Sequence, residues 1–149
     1  MPGQRTPSLQ RSGCPISVSL EMFGDRWSLL VVRDLMFYGL RSYREFLAAG
    51  EGIATNVLAE RLERLEGAGI ISRRADPSDG RKVVYLLTKK GIDLAPMLVE
   101  MIIWAARYEN TEAPPQLVRR MVRNRARYVA QVRKRWAADA SPVSARHVD

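Results

Sequence analysis

The stretch Thr55-Asn56-Val57-Leu58-Ala59-Glu60-Arg61-Leu62-Glu63-Arg64-Leu65 gathers the side chains best suited to chemistry in this sequence. Leu58, Leu62 and Leu65 are spaced by four and three residues, which predicts a helix over 55–66 with one buried stripe. At about 100° per residue the opposite face presents Asn56, Glu60, Glu63 and Arg64, with Thr55 at the leading end and Arg61 at the margin. An Asn amide pairs bidentately with adenine and an Arg guanidinium with guanine, both through base edges in the major groove of a DNA duplex. This is a set for reading, not for breaking bonds. The same residues on any surface helix would form Glu–Arg pairs, so they do not separate the two readings on their own.

Other chemistries lack their residues. The chain has one cysteine, Cys14, and one histidine, His147, third from the end. One thiol makes neither an intramolecular disulfide nor the usual thiolate zinc site. A nucleophile–His–acid triad would need that single histidine. No glycine-rich phosphate loop is present. The expectation is therefore no enzyme, no metal and no cofactor. The longest strongly apolar run, Trp27 to Val32, falls far short of the ~20 residues of a membrane span. Residues 1–11 have no apolar signal core, and the expected location is the cytoplasm.

Charge favours a polyanionic partner, with a formal net charge of +8 and a pI of about 10.2. The excess is uneven. Between Pro114 and Ala138 lie eight basic residues and no acid, whereas residues 1–113 carry a net charge of only +1. Bulk basicity supports nucleic-acid binding without locating it, and a charge run on a helix is first a solvated face.

The elements that must position these groups follow from punctuation. Residues 1–13 are rich in Pro, Gly, Ser and Gln and read as a flexible arm. Pro15 opens a helix with Ile16, Leu20 and Phe23 on one face, and Gly24-Asp25 breaks it. Trp27 to Met36 is a core helix. Ser42-Tyr43-Arg44-Glu45 predicts a capping box at the head of a short helix carrying Phe46 and Leu47. A glycine-containing turn at 49–52 leads to the helix over 55–66. Two short strands, 70–75 and 83–87, flank a polar loop at 76–80. Thr88 is expected to cap one long helix reaching Tyr108, with Pro96 bending it or marking a late start. Pro114-Pro115 is expected to open a final helix to about Ala138.

This order predicts a mainly α chain with a small β-hairpin, a winged helix-turn-helix with added N- and C-terminal dimerisation helices. The expected division is an arm at 1–13, the winged domain with a dimerisation helix at 14–108, and a basic helix and tail at 109–149.

Several stretches resemble the HxlR family of winged-helix regulators. They are Cys14-Pro15-Ile16, the run Phe23-Gly24-Asp25-Arg26-Trp27-Ser28-Leu29-Leu30, and Leu40-Arg41-Ser42-Tyr43-Arg44-Glu45-Phe46. They continue through Gly52-Ile53-Ala54-Thr55-Asn56-Val57-Leu58, Arg61-Leu62-Glu63-Arg64-Leu65, Gly69-Ile70-Ile71 and Leu87-Thr88-Lys89-Lys90-Gly91. The resemblance covers about residues 14–108 and weakens after Pro114. It implies a homodimeric transcription regulator without a required cofactor. It also implies that Cys14, in its Cys-Pro context, is a candidate redox sensor. The competing reading of Cys14 is a small residue buried against Trp27. At Ala54 the sequence departs from the Ser or Thr expected to cap the reader helix, and Thr55 is the candidate to take over that cap.

With this fold, double-stranded DNA is the expected partner. Arg41, Ser42 and Arg44 suit phosphate contacts at the head of the short helix. Thr55, Asn56, Arg61 and Arg64 suit base reading. Arg73, Arg74, Arg81 and Lys82 suit the wing. Leu98, Met101, Trp104 and Tyr108 recur at heptad-like spacing and, with Ile16 and Leu20, suit a second copy of the chain. Two readers about 34–36 Å apart would match a pseudo-palindromic operator. An effector, small molecule or oxidant, fits this reading. Two alternatives stay open: a MarR-like regulator, and a winged-helix protein-interaction module that does not read DNA.

Overall fold

Hydrophobic periodicity and local capping account for the elements of the computed structural model, which describes residues 11–140. Most of the expected arm, the last nine residues and His147 lie outside the described residues. The order is α1 (Pro15–Phe23), α2 (Ser28–Met36), α3 (Tyr43–Leu47), α4 (Thr55–Gly67), β1 (Ile71–Ala75), β2 (Val83–Leu87), α5 (Lys89–Ile92), α6 (Ala95–Tyr108), α7 (Pro115–Arg123) and α8 (Arg125–Ala140). The strands form one antiparallel pair with Arg73 opposite Tyr85 and Arg74 opposite Val84. This is a winged helix-turn-helix, mainly helical with a two-stranded hairpin.

The core joins Val31, Val32, Leu35 and Met36 of α2 to Leu58, Leu62 and Leu65 of α4. Phe23, Phe46, Ile70, Ile71, Leu87 and Ile92 join it, with Ala95, Leu98 and Val132 from the later helices. The end of α4 is held by a paired C-terminal cap: the Gly69 N–H donates to Glu66 O at 2.9 Å and the Ile70 N–H to Leu65 O at 3.0 Å. Gly69 has φ of 75°, the left-handed conformation this cap demands. The hairpin returns onto the same point. The Thr88 hydroxyl donates to Gly69 O at 2.5 Å and accepts the Gly91 N–H at 3.1 Å.

Two helical expectations need correction. The predicted long helix from Thr88 is two helices: Thr88 caps only α5, and α6 begins at Ala95, the late start rather than the bend that Pro96 allowed for. Pro96 occupies the second position of α6, where its missing N–H costs nothing. The predicted single final helix is also two. Asn124 is extended, with φ of −155° and ψ of 90°, and its side-chain oxygen accepts the Arg127 N–H at 3.0 Å to start α8.

The last two helices fold back on the domain. Met121 packs with Val99 and Ile103, and Val132 is buried in the main core. The Trp136 indole N–H donates to Leu87 O at 2.8 Å. Arg125 pairs with Glu100, and Arg133 with Asp93.

Candidate nucleic-acid interface

The short helix α3 forms its cap as its sequence implies. The Ser42 hydroxyl accepts the Glu45 N–H at 3.2 Å. The return contact is between side chains, with the Ser42 hydroxyl donating to Glu45 Oε1 at 2.9 Å. Arg44 is exposed beside it. The Tyr43 hydroxyl donates to Thr55 O at 2.8 Å and so pins the head of α4 to α3. Sequence reasoning did not single out Tyr43. The only signal was an aromatic inside a capping box.

On α4 the leucines are buried while Thr55, Asn56, Ala59, Glu60, Glu63 and Arg64 are exposed. Nothing of the described chain covers this face. Ala54 is the N-cap and supplies no side-chain hydrogen bond. Thr55 is the first helical residue, so the expected transfer of the cap to Thr55 does not occur: its backbone is already helical. The head of α4 therefore points bare amide groups outward, beside the amide of Asn56.

Arg61 departs from the expected reading set. Its guanidinium donates to Asp25 at 2.8 Å and pairs with Glu60 at 3.0 Å, and its side chain is 16% exposed. Asp25 also accepts from the Trp27 and Ser28 amides and from the Ser28 hydroxyl. Burial alone would raise the Asp25 carboxyl, but the bonds from Ser28, Arg61 and Trp27 outweigh it and hold the group well below the ordinary carboxylate range. Asp25 thus starts α2 and anchors α4. Its spacing of three from Ser28 was the legible signal; its pairing with Arg61 was not. Arg61 is turned inward by this bond, and Arg64 is left as the exposed arginine of the face, 3.9 Å from Glu60 and donating to Glu21 O of α1 at 3.3 Å.

Arg41 is engaged as well. It bonds Asp139 of α8 at 2.6 Å, while its carbonyl accepts the Tyr85 N–H at 2.7 Å and lays the segment before α3 against β2. In the wing, successive strand residues face opposite sides. Arg73 pairs loosely with Glu66 of α4 at 3.5 Å, so Arg74 projects the other way. Arg81 and Lys82 are exposed, Arg81 almost fully. Asp76 and Asp79 brace the tip by accepting backbone N–H groups of Ser78 and Arg81. An open groove runs between α4 and the hairpin, bordered by Tyr43, Glu63, Arg73 and Tyr85.

Away from this face, Ile16 and Leu20 of α1 are 72% and 57% exposed. On α6, Trp104 and Tyr108 are 61% and 63% exposed, with ring centroids 5.7 Å apart, and Met101 stands exposed beside them. Leu98, grouped with these by spacing, is instead buried in the core of its own chain, on the helix that packs against α7 and α8.

Cys14 is exposed, which overturns burial against Trp27. The Ser17 and Ile16 amides at the head of α1 stabilise its thiolate and lower the thiol below its ordinary value. Among the described residues no group of three or more His, Cys, Asp or Glu side chains could hold a metal ion, and no helix is long and apolar enough to cross a membrane.

Residues 22–113 match the family model described as HxlR-like helix-turn-helix. The chain belongs to this HxlR-like family. Among its relatives, the HTH-type transcriptional regulator sll1512 of Synechocystis is 39% identical over 88 residues. That match covers 59% of this chain and 64% of the relative, so the chain spans just under two thirds of it. The HTH-type transcriptional regulator YodB of Bacillus subtilis is 34% identical over 96 residues, covering 64% of this chain and 85% of YodB. The structure of reduced YodB superposes with a TM-score of 0.54 at 32% identity, covering 65% and 95% of the two chains. The redox regulator HypR in its oxidised form gives 0.58 at 27% identity, covering 66% and 100%. The HxlR-like match ends at Ala113, so α7 and α8 lie beyond it.

Proposed function

We propose that this HxlR-like chain is a homodimeric transcription regulator that reads duplex DNA with α4, not an enzyme, and acts in the cytoplasm on a pseudo-palindromic operator. The carrying observation is the uncovered outer face of α4, with Thr55 and Asn56 in its first turn, between the head of α3 and the wing. Asn56 and Arg64 are the base readers, and Glu63 is placed to accept from a cytosine amino group. Arg44, the α3 amides, Arg74, Arg81 and Lys82 hold phosphates and fix the register. Arg41 joins them only when Asp139 releases it, and Arg61 supports α4 from behind.

The partner at the other face is a second copy. Ile16, Leu20, Met101, Trp104 and Tyr108 give it an aromatic and aliphatic patch of the kind dimer interfaces bury. Cys14 adds an oxidant response. Its accessible, acidified thiol suits oxidation to a sulfenic acid, which condenses with the partner's equivalent thiol to a disulfide and water. That reading draws support from the reduced and oxidised forms in which the relatives YodB and HypR have been captured.

Fluorescence anisotropy against the chain's own upstream DNA tests the reading, with an unrelated duplex as control, at two salt concentrations, reduced and oxidised. Selective binding that weakens with salt is expected. Equal binding to every member of a randomised duplex library would overturn it in favour of a protein-interaction module. Unchanged binding after oxidation would remove the sensor role from Cys14.

A further inference from the structure

A cleft lies where the appended helix α8 meets the winged domain, and of its lining only Arg41 has a DNA role. It holds about 130 Å³ between the end of α2, the end of β2 and the last turn of α8. Leu35, Leu87 and Trp136 supply apolar walls. Leu35 and Leu87 are buried core residues, and the Trp136 ring is fixed by its bond to Leu87 O. The mouth is charged: Arg41 and Arg135 stand there with Asp139. Asp139 bonds Arg41 at 2.6 Å, while Arg135 makes no ion pair or hydrogen bond among the described residues. Two cations against one carboxylate leave the mouth one positive charge in excess.

We propose that this cleft binds a small aromatic carboxylate. An apolar cavity of about 150 Å³ holds a single benzene ring, so the volume suits one ring and little more. The ring lies against Trp136, Leu35 and Leu87. The carboxylate takes Arg135 and Arg41, displacing Asp139 as the Arg41 partner. Guanidinium groups recognise a planar carboxylate through paired, charge-assisted bonds, which a neutral ligand of the same shape cannot offer. The site exists because α8 closes it, so it belongs to the part of the chain beyond the HxlR-like match. It has a consequence that rests on the DNA-binding reading: a ligand on Arg41 keeps that residue from DNA phosphate and lowers DNA affinity.

The full chain, reduced, is titrated with sodium benzoate and followed by the Trp136 indole N–H signal in NMR, assigned with Trp136→Phe. Benzyl alcohol and acetate serve as the neutral ring and the ringless anion. Saturable benzoate binding is expected in the millimolar range or tighter, with both controls at least about tenfold weaker. Arg135→Gln, an exposed change that leaves folding intact, is expected to weaken benzoate about tenfold, and Asp139→Asn to strengthen it by removing the internal competitor. Equal binding of benzyl alcohol, an unaffected Arg135→Gln variant, or no saturable shift of Trp136 would overturn the site. In a parallel anisotropy titration benzoate is expected to release bound DNA in the native chain but not in Arg135→Gln. Binding of benzoate with no release would keep the site and overturn its coupling. Absence of any DNA binding would sink the regulator reading and leave the benzoate result standing.

Discussion

Arg61 of α4 and Asp25 of the α1–α2 connection meet at 2.8 Å, and Asp25 uses the same carboxylate to start α2. One acid therefore sets both the head of the central core helix and the seat of the helix that carries Asn56. Asp25→Asn keeps the shape and loses the charge. It is expected to lower stability by about 1–3 kcal/mol at pH 7. The folded carboxyl titrates below its unfolded value of about 3.9, so its contribution is fully present above that pH. It is lost as the pH falls through the lower, folded-state value. Urea unfolding at several pH values should show the gap between variant and native protein closing only in strong acid; a constant gap would mean the charge is not what matters.

Ala54 heads α4 without a side-chain cap. Ala54→Ser restores the acceptor for an amide at the helix head and is expected to add about 1 kcal/mol, a few degrees in melting temperature. If the bare amides instead serve a DNA phosphate, the same change weakens DNA binding while it stabilises the fold. Calorimetry and anisotropy on one sample separate the two effects.

Gly91 is buried against the end of α4, and a Cβ there would lie 2.2 Å from Ile70 O. The oxygen is a backbone atom and the Cβ is held by the backbone of α5, so neither can swing aside. Gly91→Ala is expected to cost about 1–3 kcal/mol and to loosen the wing where it leaves the core. Gly67→Ala, with open space around it, is the matched control, and melting curves of the pair decide the point.

Asn56 and Arg44 should fail differently if α4 reads and α3 positions. Asn56→Ala is expected to cost about 1–3 kcal/mol of discrimination at one base pair, leaving the salt dependence alone. Arg44→Gln is expected to weaken all sequences alike and to reduce the logarithmic salt slope by about 0.9 for each phosphate it no longer neutralises. Identical behaviour of the two variants would count against the proposed division of labour.

Trp104 and Tyr108 are large, exposed and packed against each other. Replacing both with Ala is expected to weaken self-association by two orders of magnitude or more, given about 2 kcal/mol or more for each central aromatic of an interface. Sedimentation velocity at micromolar protein reads this directly. An unchanged sedimentation coefficient would place the partner elsewhere.

By itself the sequence determined the elements and the faces. Leucine spacing marked the buried stripe of α4, Ser42 and Glu45 marked the head of α3, and glycines marked the turns. These are local signals, because each depends on residues within a turn or two of one another. The same locality misplaced the helix boundaries at Thr88 and across Asn124, where a short-range break hid inside a continuous apolar pattern. Tertiary structure alone decided which partner each charge takes. Arg61 finds Asp25 and Arg41 finds Asp139 across long stretches of chain, and no periodicity encodes such a meeting. It also decided that Leu98 serves the chain's own core while Trp104, further along the same helix, stays outside. An apolar spacing says that a helix face must be covered; only the packing of the other helices says how much of it they already cover.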